Sequence, residues 1–302
     1  MKRNRLGASD LIVSEIGLGC MSLGTEETKA VAIVREALDR GVNFLDTADL
    51  YDEGRNEELV GKAIAGRRGD VIVATKVGNR RVPGVEGWVW DPSRAYIRTA
   101  VKESLRRLGT DYIDLYQLHG GTIDDDIDET IEAFEELKRE GVIRHYGISS
   151  IRPNVVREYA RRSNIVSLMN QYGVLDRRAE EEILPLLQAR GGVGLIARGP
   201  LAGGALAESK TPTKGFLDYS LDELLALRGR LSELASEAGV PLSHLAIRFA
   251  LSHPVVAAVI PGASSLEQLR GNLAAASVPP LTDAAVARIR DVSRANRYTA
   301  HR

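Results

Sequence analysis

Eight short runs of aliphatic and β-branched residues, spaced along 302 residues and separated by longer stretches of helical period, predict an α/β fold, a (β/α)8 TIM barrel. Three observations carry that reading: the runs are short and rich in Val, Ile and Leu, the stretches between them end at glycine, and eight strands close a parallel barrel. No low-complexity tract or Pro/Ser-rich linker breaks the repeat. Residues 1–302 therefore read as one domain, a length that α/β barrels use routinely.

The segment "KRNRLGASDLIVS" (2–14) reads as a small hairpin turned by "GASD", placed to plug the bottom of the barrel. The expected strands are "SEIGLG" (14–19), "VNFLDT" (42–47), "DVIVATK" (70–76), "YIDLYQLH" (112–119), "IRHYGIS" (143–149), "IVSLMN" (165–170), "VGLIAR" (193–198) and "VVAAVI" (255–260). Between them, "ETKAVAIVREALDRG", "AYIRTAVKESLRRLG" and "IDETIEAFEELKREG" place apolar residues three and four apart and stop at Gly41, Gly109 and Gly141, where a left-handed residue ends a helix. Two connections, 77–92 and 199–221, are long enough to be functional. The stretch from Leu281 reads as an extra C-terminal helix.

Composition narrows the function. With 40 Lys+Arg against 41 Asp+Glu, no global field favours nucleic acid or an anionic membrane surface. The single cysteine, Cys20, excludes an intramolecular disulfide and a multi-cysteine metal site, and no metal is expected. "MKRNRLGASD" lacks the apolar run of a signal peptide, and the apolar stretch 254–261 is too short to span a bilayer. The expectation is a soluble protein of the reducing cytoplasm, of unspecified oligomeric state.

Barrel active sites gather at the carboxyl ends of the strands. There the sequence offers Asp46, Tyr51 in the loop that follows, Lys76 and His119. Each alone has an ordinary structural explanation. As a group they form a proton-transfer site: an ammonium beside a phenol favours its anion, and a carboxylate keeps the buried ammonium charged. His119 is then able to orient a carbonyl oxygen beside Tyr51. Asp49 is expected to cap or orient the loop, and the acids 124–126 to cap the next helix.

The chain resembles an aldo-keto reductase along essentially its full length, in the manner of a bacterial oxidoreductase branch. The motifs are "GVNFLDTADLYDEG" (41–54), Thr75-Lys76, "DYIDLYQLH" (111–119), "GVIRHYGISS" (141–150) and "IPGASSLEQLRGN" (260–272). Asp52 and Glu53 depart from the family pattern by separating Tyr51 from its glycine. The resemblance implies that Asp46, Tyr51, Lys76 and His119 are the catalytic tetrad. It implies hydride transfer from a nicotinamide to an aldehyde or ketone, a small-molecule carbonyl substrate, with Tyr51 as proton donor. Alternatives are a nicotinamide-sensing binding protein on the same fold and a lyase using Lys76 as a Schiff base.

For the cofactor, Gly262, Ser264 and Ser265 precede a helix where barrels bind phosphate, although a plain N-cap explains either serine. By resemblance this segment holds the adenosine 2′-phosphate and Asn272 the adenine. The family's lysine and arginine here are Gly262 and Gln268. NADP(H) is still preferred, with NAD(H) as the alternative and Arg270 as a compensating cation. The family's carboxamide-binding Ser-Asn pair becomes Ser149-Ser150, and its glutamine becomes Met169. Asn170 or Gln171 is left to supply the amide, and strand alternation favours Gln171. Arg198 replaces the stacking aromatic, with a solvent-facing side chain as the other reading. Gly199, Pro200, Leu201 and Gly203 form a loop that can approach the pyrophosphate, and the resemblance assigns Gly19, Cys20 and Met21 to the cofactor wall. Trp88 and Trp90, both in the 77–92 connection, are expected to border the substrate pocket, with Arg80 and Arg81 nearby.

Overall fold

Alternation along each central strand decides which side chains face the barrel axis and which meet the surrounding helices. The computed structural model describes residues 1–82 and 84–302; Pro83, inside the connection 77–92, lies outside the described residues. The chain runs β1 (Arg3–Arg5), β2 (Ile12–Ser14), β3 (Leu18–Gly19), α1 (Glu27–Asp39), β4 (Phe44–Asp46), α2 (Arg55–Ile64) and β5 (Ile72–Val77). Next come β6 (Asn79–Arg80), β7 (Val89–Trp90), α3 (Arg94–Leu108), β8 (Ile113–Leu118), α4 (Ile127–Arg139), β9 (Ile143–Ser149), α5 (Pro153–Arg162) and β10 (Ser167–Gln171). The remainder is α6 (Ile183–Arg190), β11 (Gly194–Arg198), α7 (Leu221–Glu237), α8 (Leu242–Ala250), β12 (Val256–Ile260), α9 (Leu266–Ala274) and α10 (Asp283–Val292).

Eight strands pair in parallel in the order β3-β4-β5-β8-β9-β10-β11-β12. The ring closes where parallel bridges join Ile16 to Val259 and Gly19 to Gly262. The Gly17 N–H donates to the Val259 carbonyl at 2.8 Å, and the Val259 N–H to the Glu15 carbonyl at 2.9 Å. The eight strands expected from the sequence are these eight.

Inside the ring, Phe44, Ala74, Leu115, Met169, Ile196 and Ala258 join Leu6, Leu11 and Val13 of the β1–β2 hairpin in one apolar cluster. The hairpin therefore seals the bottom, with the Asn4 amide donating to the Ala257 carbonyl at 2.9 Å. Each of the larger side chains in this cluster contributes about 1.5–3 kcal/mol on removal from water. Two residues further along the same columns stand Asp46, Lys76, Gln117, Gln171 and Arg198. The period of two thus fixes both a dry floor and a polar upper layer. A second, larger cluster fills the space between the strands and the helices.

α1, α3 and α4 end at Gly41, Gly109 and Gly141, all at positive φ (90°, 63° and 75°). The structure adds two features. The connection 77–92 carries an antiparallel ribbon of β6 and β7, and the last crossover holds two helices because Gly239 (φ 65°) and Pro241, the N-cap of α8, break the helical run. After α10 the chain returns across the top of the barrel without helix. α2 and α3 approach so closely that a Cβ on Gly61 would stand 2.6 Å from the Leu108 carbonyl oxygen. Gly61→Ala is therefore expected to destabilise the fold by about 1–3 kcal/mol, read from the urea unfolding midpoint. Among the described residues no helix is long and apolar enough to cross a membrane, and no group of three or more His, Cys, Asp or Glu is placed to hold a metal.

Candidate active site

Four groups expected from the sequence meet at the top of strands β4, β5 and β8. Lys76 Nζ, fully buried, donates to Asp46 Oδ2 at 2.7 Å, to the Thr47 carbonyl at 2.7 Å and to Tyr51 Oη at 3.3 Å. These acceptors occupy all three ammonium protons. The amide of Gln117 donates to Asp46 Oδ1 at 3.4 Å. The His119 ring meets the Tyr51 ring edge-on, with centroids 5.9 Å apart at 82°.

Burial works against the Lys76 ammonium, but Asp46 and Tyr51 more than offset it, so its pKa stands above that of a free lysine. Burial also drives the Tyr51 pKa above that of an ordinary phenol; Lys76 pulls it down and Asp46 pushes it up. Lys76 thus favours the phenolate as expected, but burial outweighs it. The resting group is a neutral phenol, the protonation state a donor needs, and Lys76 is in place to stabilise the anion it leaves. Burial, reinforced by Lys76 and Arg198, lowers the His119 pKa to about 3. The imidazole is therefore neutral across the physiological range, and its Nδ1 has no protein partner.

The loop behind Tyr51 is strained. Asp52 (φ 47°), Glu53 (φ 58°) and Gly54 (φ 89°) are consecutive residues in the left-handed region. For the two non-glycine residues this costs about 1–2 kcal/mol each. The residues that depart from the family pattern are thus the ones that turn the chain sharply after the phenol. Of the two roles expected for Asp49, capping or orienting the loop, capping is not seen among the described residues: both its carboxyl oxygens are buried and make no hydrogen bond. Of the acids at 124–126, Asp126 caps α4 as expected by accepting from the Glu129 N–H at 3.0 Å, whereas Asp125 reaches across to accept from Trp90 Nε1 at 2.9 Å.

A cleft of about 1510 Å³ runs from Tyr51 and His119 across the barrel mouth to the N-terminus of α9. Gly19, Met21, Asp46, Ser149, Gln171 and Arg198 line one part of it. Gly199, Pro200, Leu201 and Gly203 line another, and Gly262, Ser264, Gln268 and Asn272 its far end. Cys20, expected on this wall, is turned into the core and fully buried, and burial raises its thiol pKa well above the usual value. Lys76 likewise lies beneath the surface, linked to the cleft through Asp46 and Tyr51, both of which line it. The two amides of β10 differ in surroundings. The Asn170 amide donates to the Ser150 carbonyl at 2.7 Å and its Oδ1 accepts from Tyr298 Oη at 3.1 Å, whereas Gln171 faces the cleft and accepts from Arg198 Nη1 at 3.2 Å. That leaves the Gln171 NH2 without a protein partner.

At the far end, Ser265 caps α9 by accepting from the Gln268 N–H at 3.1 Å. The Gln268 side-chain oxygen accepts from both the N–H and the hydroxyl of Ser264, at 2.9 and 3.0 Å. Arg270 donates to Glu36 at 2.9 Å, a carboxylate that Arg40 also holds at 2.7 Å. Trp90 lies over Gly78 and Gly120, while Trp88 is half exposed at the mouth. Arg80 is paired with Asp91 and Arg81 with Glu53.

Two further walls complete the cleft, one inside the 199–221 connection singled out for its length and one, at 298–301, that no motif marked. Tyr298 to His301 cross the mouth opposite Tyr51, tied down where the Asn154 N–H donates to the His301 carbonyl at 2.9 Å. Ala207 to Lys210 fold over the 199–204 loop. Arg228 holds that segment by donating to the carbonyls of Ala205, Ala207 and Lys210 at 2.9, 2.9 and 2.6 Å.

A parallel α/β barrel whose mouth presents a phenol backed by a buried lysine–aspartate pair, next to a cleft of cofactor size, defines a barrel oxidoreductase. The sequence profile of the Aldo/keto reductase family matches residues 15–294. Over 309 aligned residues the chain is 55% identical to the uncharacterized oxidoreductase YqkF of Bacillus subtilis, covering 100% of both chains. It is 33% identical over 286 residues to L-galactose dehydrogenase of Arabidopsis thaliana, covering 89% of this chain and 86% of that one. Among solved structures it is similar to the holo form of aldo-keto reductase AKR11C1 from Bacillus halodurans, with TM-score 0.95, 59% identity, and 100% and 99% coverage. The chain belongs to the aldo/keto reductase family, whose members are oxidoreductases acting on small molecules.

Proposed function

We propose that this enzyme reduces aldehydes or ketones to alcohols with NADP(H), and that Tyr51 donates the proton. The observation that carries the reading is the neutral Tyr51 hydroxyl held 3.3 Å from a fully buried, carboxylate-paired Lys76. A nicotinamide dinucleotide suits the cleft: Gln171 offers a free amide, Ser149 lies beside it, and α9 presents an N-terminus with two serine hydroxyls. When bound, the reduced nicotinamide supplies the hydride. His119, neutral, orients the carbonyl oxygen toward Tyr51, whose proton passes to that oxygen while Lys76 stabilises the phenolate. Asp46 keeps the ammonium charged throughout.

The preference for NADP(H) rests on Arg270. Arg270 does not line the cleft but sits one residue from Gly271, which does; it is paired with Glu36, which Arg40 also holds, and exposed ion pairs are worth only about 0–1 kcal/mol, so turning toward a 2′-phosphate would cost it little. Arg270→Ala is expected to weaken NADPH binding about tenfold and leave NADH binding unchanged, measured by fluorescence titration without substrate. Equal affinity of the wild type for the two cofactors would overturn the preference. Oxidation of NADPH and NADH by one reactive aldehyde tests the reaction class itself, and tight cofactor binding without turnover would favour a nicotinamide-sensing role.

A further inference from the structure

Behind Tyr51 lies a group of buried charges that the proton transfer does not use. Glu57 on α2 is fully buried; its Oε1 accepts from the Thr75 hydroxyl at 2.6 Å and its Oε2 from Arg107 Nε at 2.6 Å. Thr75 directly precedes Lys76. The Arg107 side chain, reaching over from α3, lies under the left-handed turn that follows Tyr51, so close that a Cβ on Gly54 would stand 2.7 Å from Arg107 Cδ. A strained turn persists only where its surroundings fix it, and here the surroundings are this arginine and the acid that holds it.

Asp49 belongs to the same loop. Its N–H donates to the Lys76 carbonyl at 3.4 Å. Both its carboxyl oxygens and the Tyr116 hydroxyl are buried without partners. The charged and titratable groups around Asp49 are Glu57 from α2, Arg107 and Tyr96 from α3, Lys76 from β5 and Tyr116 from β8. Two carboxylates therefore face one guanidinium, and only Glu57 is bonded to it.

We propose that Asp49, Glu57 and Arg107 form a proton-dependent clamp that positions the Tyr51 hydroxyl over Lys76. With Asp49 neutral, the Glu57–Arg107 pair holds the turn. Ionised Asp49 repels Glu57, competes for the same guanidinium and loosens the clamp. Asp49, Glu57 and Arg107 are positioning residues, and the proposal rests on Tyr51 being the proton donor. Burial, then the charge of Glu57, raises the Asp49 pKa to about 7, with Arg107, the Leu50 N–H and Lys76 opposing. The clamp thus responds near neutrality, whereas His119 titrates near 3.

The sign follows from linkage. The native state holds the Asp49 proton up to about pH 7, whereas the unfolded chain releases it near 3.8, so stability falls as pH rises through that window. The test compares wild type, Asp49→Asn and Arg107→Lys from about pH 5 to 9, reading kcat and KM with NADPH and an aldehyde, and melting temperature without cofactor. The wild type is expected to lose about tenfold in kcat/KM across a limb near neutrality and to melt progressively lower from pH 5 to about 7. Asp49→Asn is expected to flatten both profiles. Arg107→Lys, lacking the planar fork, is expected to lower kcat about tenfold with little change in KM. If Arg107→Lys does not fold, Thr75→Val, which removes Glu57's other partner, is read the same way. Wild-type pH profiles in Asp49→Asn, or wild-type kcat in the second variant, would overturn the clamp. A wild type inactive on every carbonyl would instead sink the reductase reading, and the melting profiles alone would then decide whether Asp49 titrates as proposed.

Discussion

Replacing Tyr51 with phenylalanine is expected to lower kcat for carbonyl reduction by about 10²- to 10⁴-fold and leave the barrel folded. The ring keeps its edge-on contact with His119, because the substitution removes only the hydroxyl. What disappears is the group that carries the proton and receives one of the three Lys76 hydrogen bonds. Cofactor affinity should change little, since no cofactor-side residue bonds to the phenol. Steady-state NADPH oxidation and far-UV circular dichroism check the two halves of this statement. A Tyr51→Phe enzyme with undiminished kcat would assign the proton to another group.

Lys76→Met should act on stability as strongly as on rate. Lys76 and Asp46 are both buried, at 0% and 4% side-chain exposure, and bonded at 2.7 Å. Removing the ammonium leaves the carboxylate in a dry site with only the weak contact from Gln117. Breaking one partner of a buried pair costs roughly 3–5 kcal/mol. Burial already pushes the Asp46 pKa up against the pull of Lys76; without Lys76 it rises further. The single variant should therefore be least stable at high pH and recover as the medium is acidified through the raised Asp46 pKa. The double variant Asp46→Asn with Lys76→Met should regain much of the stability and none of the activity. Urea unfolding at two pH values measures the first effect and NADPH oxidation the second. A single variant as stable as wild type would show that the pair does not contribute to the fold.

The barrel was legible because its signals are local: β-branched runs, helical period and glycine stops each sit within a few residues of the element they define. The grouping of Asp46, Lys76 and His119 was legible because strand ends in a barrel converge, so residues far apart in sequence could be brought together without knowing any side-chain contact. What escaped depends on contacts between distant segments. Arg107 reaches Glu57 from 50 positions away, and the chain at 298–301 bonds to Asn170 across 128. The left-handed conformation of Asp52 and Glu53 escaped for another reason: aspartate adopts a positive φ more readily than most residues but still seldom, and glutamate gives no such signal. Cys20 was misjudged because a residue beside a cleft in sequence still has two directions in which to point.

The closure of the ring has a consequence for how the chain folds. On one side β3 pairs with β4, close by in sequence, but on its other side the partners of the hairpin and of the β3 strand are Ala257, Val259 and Gly262 in β12 and the turn after it. Every other neighbouring pair in the sheet can form across one crossover, but this seam must bring together residues some 240 positions apart and bear the corresponding loop-closure entropy. This seam therefore carries the largest closure cost in the sheet. Until β12 arrives, the apolar floor of Leu6, Leu11 and Val13 has only part of its inner lining to rest on, and the open edges of β3 and β12 stand ready to pair with another copy.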